Sequence, residues 1–433
     1  MARANISTTE ELHQPLLLQF DDSPARHRSR AAFAAELAAF NAFGTPTQVS
    51  ALGEGKTAVP VFVNEFWTSK QRAASSLHEI SYRACFKPQL PRFFIERLSG
   101  PKQVIYDPFL GRGTTAIEAA LLGRGVVGCD VNPLSKILTE PRLFPPKLSE
   151  VRDRLATIDW NYEGEVPADL LTFYHSETLR EICALRRHLL RRKSASAASS
   201  VDGWIRMVAT NRLTGHSAGF FSVYTLPPNQ AVSSERQRKI NESRNQKPQR
   251  RDVPVLILRK TRTLLQSVTN EDREALRSAA TDALFITGSS DQTPEIENAS
   301  VDLVVTSPPF LNVVDYAGDN WLRCWFNGIN ERSINIWMFR DAATWSAAMK
   351  RVFAELNRVL KRGAHVAFEV GEVRGGKVKM EELVIPAARA AGLQPLLVLI
   401  NAQEFTKTSN CWGVTNQTAG TNTNRVVLLR KPR

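Results

Sequence analysis

Residues 103–115 read QVIYDPFLGRGTT and residues 125–130 read GVVGCD. The first stretch is an apolar, β-rich run that breaks at Asp107-Pro108, passes through Gly111 and Gly113, and opens into the helical pattern TTAIEAALLG. The second is another apolar run, ending on Asp130. Strand, glycine turn, helix and strand in that order make a βαβ unit, and βαβ units build parallel sheets covered by helices. The same texture returns at Ala283 with ALFITG, then VDLVVTSPPF, HVAFEVGE, LQPLLVLI and RVVLLRK. Between them lie a helix near EELVIPAARAAG and a longer one in which Trp345, Met349, Val352, Leu356 and Val359 recur at helical spacing, with Gly363 as its expected end. Seven strands in one α/β sheet are expected, interrupted after the second.

What interrupts them is of another composition. The chain of 433 residues carries 56 Lys plus Arg against 43 Asp plus Glu, a net charge of +13. Ser176 to Arg262 alone holds 18 basic and 6 acidic residues, so nearly all of the excess sits there. A segment that basic inside an otherwise balanced protein fits a phosphate backbone better than plain solvent. SASAASS, residues 194–200, reads as a linker, and Asn211 to Ser217 (NRLTGHS) as either a source of base contacts or a structured loop. Phe220, Phe221 and Tyr224 read as core residues or as stacking platforms. Near the start, AFAAELAAFNAF (Ala32 to Phe43) is a helical packing arm or a dimer contact.

Hydrophobic residues make up 43% and charged residues 23%, ordinary values that exclude collagenous and wholly disordered chains. No apolar run approaches the ~18 residues of a membrane span, and the first residues lack the apolar core of a secretory signal, so a cytoplasmic protein is expected. The five cysteines (Cys85, Cys129, Cys183, Cys324, Cys411) form no C-x-x-C pair, and His216 has no partner at ligand spacing. Neither a disulfide framework nor a metal site is expected.

Two constellations carry chemistry. Asp107 to Thr115 leaves a strand and opens a helix, where backbone N–H groups are free and glycine permits close approach of a ligand. Asp130 ends the next strand, where a carboxylate accepts hydrogen bonds from ribose hydroxyls or caps the turn before Pro133. The second constellation is Thr306-Ser307-Pro308-Pro309-Phe310. Two prolines cannot continue a strand, so the Pro308 carbonyl is left as a rigid acceptor beside the Ser307 hydroxyl, with Phe310 as an aromatic face. An exocyclic amine on a planar base needs such partners; a proline-ended strand with a core Phe is the plainer account.

Together, DPFLGRGTT, the strand-final Asp130 and TSPPF resemble the DNA amino-methyltransferases, of the N4-cytosine and N6-adenine type. The resemblance covers residues 61 to 140 and 280 to 433. It implies a Rossmann-like seven-stranded sheet and S-adenosyl-L-methionine as cofactor, held by Asp107, Phe109, Gly111, Gly113, Thr114, Thr115 and Asp130. Tyr82, Phe86 and Lys87, in a segment similar to one that contacts the methionine end in that family, join the set, and Asp291 is aligned with a residue that meets the adenine amine. Ser307, Pro308, Pro309 and Phe310 correspond to the catalytic signature, whose serine form is associated with N4 of cytosine. On this reading residues 1–60 are an N-terminal arm, 61–145 the cofactor half of the methyltransferase domain, 146–280 an inserted, mainly helical or irregular target-recognition region, and 281–433 the catalytic half. Double-stranded DNA is the expected partner, met by Arg236, Arg238, Lys239, Arg244, Arg250 and Arg251. Adenine N6, guanine N2 in RNA, and a non-catalytic binding protein of the same fold are the competing readings. No thiol nucleophile is called for, because transfer to an amine needs no covalent intermediate.

Overall fold

The computed structural model describes residues 30–68, 74–82, 85–225, 232–309, 316–371, 379–402 and 423–433. Among the described residues nine strands form one sheet: β1 (Gln48–Leu52), β2 (Val59–Asn64), β3 (Val104–Asp107), β4 (Gly125–Asp130), β5 (Leu284–Thr287), β6 (Val301–Thr306), β7 (Leu360–Val370), β8 (Gln394–Ala402) and β9 (Thr423–Arg430). Their order across the sheet is β1-β2-β8-β9-β7-β6-β3-β4-β5. The seven expected strands are present, and β9 runs antiparallel to both of its neighbours. The count of seven is corrected to nine: β1 and β2 extend the edge beyond β8, to which β2 pairs in parallel. The described part of residues 1–60, expected as an arm, thus supplies β1 and the first two residues of β2 to the sheet. It also supplies the helix Arg30–Ala38, whose Phe33 and Leu37 are buried within the same chain.

Successive residues of the strands enter opposite layers. Ile105, Val126, Leu303 and Leu428 join one apolar cluster, while Tyr106, Val127, Val304 and Leu429 join the other. Both faces are covered, which is why these strands read as continuous apolar runs and not as alternating ones. The helices Ala342–Val359 and Glu381–Ala390 cover the second face. Helices Gln89–Leu98, Thr114–Leu121 and Asn270–Thr281 lie on the first.

Residues 146–280 are mostly helical, with Leu148–Ala156, Ser176–Ser194, Ser200–Arg212, Ser234–Ser243 and Val253–Leu265 preceding Asn270–Thr281. Trp204, Ile205, Met207, Val208, Leu256 and Ile257 from these helices belong to the cluster that also holds Phe62 and Ile105. The stretch SASAASS is a helix end and a tight turn: Ser199 caps Ser200–Arg212 by accepting the Asp202 N–H, and Asp202 accepts the Ser199 N–H in return.

Gly363 does not end the long helix. That helix stops at Val359 and runs straight into β7, where Gly363 sits at φ +81°. At the outer edge, Asn401 of β8 accepts the backbone N–H groups of Phe66 at 2.7 Å and Trp67 at 3.1 Å, pinning the chain that leaves β2. Among the described residues no helix is long and apolar enough to cross a membrane.

Candidate active site

The loop after β3 is shaped by two left-handed glycines. Gly113, at φ +73°, stands before the helix Thr114–Leu121, and a Cβ there would fall 2.2 Å from Thr139 Oγ1. Gly111, at φ +51°, is less crowded: a Cβ there would make ordinary contacts with Cys85 Sγ and the Phe109 carbonyl, both at 3.8 Å. One glycine lets the helix pack and the other leaves room for a ligand.

Asp130, at the end of β4, locks the loop from the far side. Its Oδ2 accepts the Gly111 N–H at 2.8 Å and its Oδ1 accepts the Asn132 N–H at 2.9 Å. Burial pushes this carboxyl up, and those hydrogen bonds oppose the rise. Asp107, at the end of β3, is buried, and its Oδ1 accepts the Thr306 hydroxyl at 2.6 Å and the Phe109 N–H at 3.1 Å. Burial pushes its pKa up to about 6. Thr115 reaches the same neighbouring strand, donating to the Val305 carbonyl at 3.0 Å. The glycine loop and the TSPP segment are therefore tied together by side chains.

The segment between β2 and β3 is held by two arginines that sequence reasoning missed. Arg112 is buried and donates to the carbonyls of His78 at 3.2 Å, Ile80 at 2.7 Å and Phe86 at 3.4 Å. Arg142, fully buried, donates to the carbonyls of Leu138, Leu77 and Arg112. Burial, and then the charge of Arg112, bring Arg142 down to about 9. His78 adds a 2.6 Å hydrogen bond to Glu118 on the helix that follows the loop. Apart from the Thr114 hydroxyl, to which Arg112 Nε donates at 3.1 Å, the partners of both arginines are backbone carbonyls, so no charge pairing in the sequence signals them.

These supports enclose a cleft of about 880 Å³, open to solvent. Tyr82, Phe86, Asp107, Phe109, Gly111, Thr114 and Asp130 line it together with Ser307, Pro308 and Pro309. Gly113, Thr115 and Lys87 are not in its wall: Gly113 abuts Thr139, Thr115 bonds β6, and burial lowers the Lys87 amine. Phe310 lies outside the described residues. Ile336, Trp337 and Ser290 also line the cleft and were not foreseen. Trp337 meets the edge of Phe109 at 6.4 Å between ring centroids and that of Phe339 at 5.9 Å. Asp291 is not in the cleft wall, which its neighbour Ser290 joins; it accepts the Ser289 hydroxyl and, at 2.8 Å, Arg351 Nε–H.

At the TSPP segment the Pro309 carbonyl is used by Trp345 Nε1–H at 3.0 Å. No hydrogen bond to the Pro308 carbonyl occurs among the described residues. The described thiols are poorly suited to nucleophilic work: burial pushes Cys129 and Cys324 up to about 12 and Cys183 up to about 11. Cys85, in the cleft wall, is also raised.

The basic residues of 146–280 divide. Arg250 is held by Glu177 and Glu181, Arg238 meets Asp169 at 3.2 Å, and Lys239 meets Glu235 at 2.9 Å. Arg244 lies 3.9 Å over the Tyr224 ring. Arg251 is half-buried with Nε unpaired, and Arg236 is exposed on Ser234–Ser243. Asn211, Arg212 and Thr214 are buried, Gly215 carries the backbone turn against Phe220, and Phe220 and Phe221 are buried; these residues are core and structured loop.

Residues 41–137 match the family model described as DNA methylase. The Type II methyltransferase M.BsoBI of Geobacillus stearothermophilus is 22% identical over 296 residues, 60% of this chain and 54% of that protein. The Type II methyltransferase M.MvaI of Kocuria varians is 34% identical over 83 residues, 18% of each chain. The chain thus spans about half the length of the first of these relatives. Among solved structures, a TehB-like SAM-dependent methyltransferase from Corynebacterium glutamicum is 9% identical with a TM-score of 0.30, over 79% of this chain and 86% of its own.

Proposed function

We propose that this chain, a relative of the DNA amino-methyltransferases, transfers a methyl group from S-adenosyl-L-methionine to the exocyclic amine of a base flipped out of double-stranded DNA, N4 of cytosine above all. The observation that carries the reading is one cleft with Gly111 and Asp130 on one side and Ser307 and Pro308 on the other. The residues fit the cofactor. Asp130 keeps lone pairs for ribose hydroxyls after accepting its two backbone N–H groups, and Gly111 leaves the loop open. Tyr82, Phe86, Phe109 and Trp337 supply aromatic walls. When bound, the cofactor supplies an electrophilic methyl on a sulfonium.

Ser307 and Pro308 accept hydrogen bonds from the two N–H groups of the target amine, which favours a pyramidal nitrogen and stabilises the positive charge that grows there. Holding the amine in line for displacement supplies much of the remaining rate. The cost of unstacking the base, a few kcal/mol, falls to phosphate contacts from 146–280 and to stacking on Phe310. The serine form of the signature, which the resembling family associates with N4 of cytosine, supports cytosine over adenine, and the Type II names of the relatives support a role as the modification partner in a restriction system. Expression in a host lacking DNA methylation, followed by mass spectrometry of the nucleosides, tests all of this. N4-methylcytosine is the expected product, N6-methyladenine alone overturns the base assignment, and methylguanine in RNA with unmodified DNA overturns the reading.

A further inference from the structure

Glu369 is an acidic residue in the apolar run of β7, and it is buried. The pairing of β6 with β7 sets Thr306 opposite Phe368, so the next residue along each strand, Ser307 and Glu369, are also neighbours. On the other side β9 delivers Asn424, whose Nδ2 donates to Glu369 Oε1 at 3.1 Å. Three strand ends thus converge on one carboxylate directly behind the TSPP segment, while Glu369 itself does not line the cleft. Burial raises its pKa, and hydrogen bonds from Ser307 and Asn424 oppose that rise. The groups facing it are uncharged, and no ionised group among the described residues contributes.

A serine hydroxyl has one proton and two lone pairs. Resting on the reading of the cleft given above, we infer that Glu369 is a positioning residue for methyl transfer: it takes the single proton of Ser307, so that the serine oxygen presents only lone pairs to the amine. With Glu369 protonated, the carboxyl O–H competes as donor to Ser307 and frees the serine proton to point at the base, where it meets the N–H groups head-on. Methyl transfer therefore needs the carboxylate, or a neutral group that accepts in its place. Asn424 keeps the carboxylate form available by bonding to it.

The test compares the parent protein with Glu369→Gln, Glu369→Ala and Asn424→Ala, measuring turnover on duplex DNA at saturating cofactor against pH, with cofactor affinity by calorimetry. Parent turnover is expected to fall on the acid side. Glu369→Gln, whose amide oxygen still accepts, is expected within about threefold of parent turnover at its plateau and without the acid limb. Glu369→Ala is expected to lose at least about thirtyfold in kcat with cofactor affinity and KM for DNA little changed. Asn424→Ala is expected to move the limb to higher pH, since the charged form loses a hydrogen bond. A glutamine variant as inactive as the alanine one overturns the inference, because charge and not acceptance would then matter; so does an acid limb that survives in Glu369→Gln. If the alanine variant does not fold, the other two variants decide. A parent protein that binds cofactor yet methylates no amine in DNA overturns the underlying reading, and the inference with it.

Discussion

The backbone N–H of Gly111 donates to Asp130 Oδ2 across 2.8 Å, joining the loop after one strand to the end of the next. The same carboxylate that is proposed to hold the ribose therefore also sets the loop that receives the cofactor. Asp130→Ala should lose about 1–3 kcal/mol of cofactor affinity and should also lower the melting temperature, because two backbone N–H groups lose their acceptor. Calorimetry and thermal melts measure both. Unchanged affinity in a folded variant would remove Asp130 from the site.

The two loop glycines should separate stability from binding. Gly113→Ala drives a Cβ to 2.2 Å from Thr139 Oγ1 at a left-handed φ, and about 2–4 kcal/mol of stability should go through strain and overpacking. Gly111→Ala carries backbone strain but meets nothing closer than 3.8 Å. Urea unfolding should rank Gly113→Ala well below Gly111→Ala, and equal midpoints would contradict this account of the loop.

Asp107 predicts a pH dependence. Burial places its pKa at about 6, above the ordinary carboxylate range, so it is charged only above that pH. A cationic cofactor in the cleft favours the charged form and draws the pKa down. Affinity for S-adenosyl-L-methionine should therefore fall as pH drops through 6, by up to about tenfold per pH unit, with a proton released on binding in that window. Calorimetry in buffers of different ionisation enthalpy measures the release. Affinity that stays flat from pH 5 to 8 would show that Asp107 does not sense the ligand charge.

Trp337 should contribute to the cofactor side through its contact with Phe109. Trp337→Ala is expected to weaken cofactor binding three- to tenfold, in line with about 0.5–1.5 kcal/mol for an aromatic pair. Loss of the fluorescence change on cofactor addition in that variant would accompany it. Parental affinity would make Trp337 a bystander of the rim.

Charge reversal in 146–280 should give unequal outcomes. Arg236 is exposed, and Arg236→Glu should weaken DNA binding and reduce the salt slope by about one phosphate contact. Arg250 is committed to Glu177 and Glu181, so Arg250→Glu should lower stability first, by placing three carboxylates together. Equal effects of both on the salt slope with no loss of stability would mean that the Arg250 pairs open on DNA.

The seven strands from β3 to β9 could be read from the chain because helices cover both faces and make each run largely apolar. β2 was missed because Pro60 interrupts its start, where it is tolerated because the pairing with β8 begins only at Val61. Gly363 was misread for a related reason: a left-handed glycine just after a helix and one inside a strand look alike until pairing partners are known. The cleft residues Asp107, Asp130 and Ser307 were legible because each sits at or just past a strand end, and Gly111 because it belongs to the glycine turn between a strand and a helix. Arg112, Arg142 and Glu369 were not, since most of their partners are carbonyls or side chains from remote segments.

The hydrogen bond from Phe66 to Asn401 spans 335 positions, and this sets a clock on biosynthesis. At about 5–20 residues per second, the interval between the two leaving the ribosome is roughly 20 to 70 s. Throughout it the inner side of β2 has no partner, and an unpaired strand edge is a template for the wrong neighbour. The seam between β2 and β8 therefore closes late, together with the two seams of β9, and a nascent chain carries the inner side of β2 exposed through most of its synthesis.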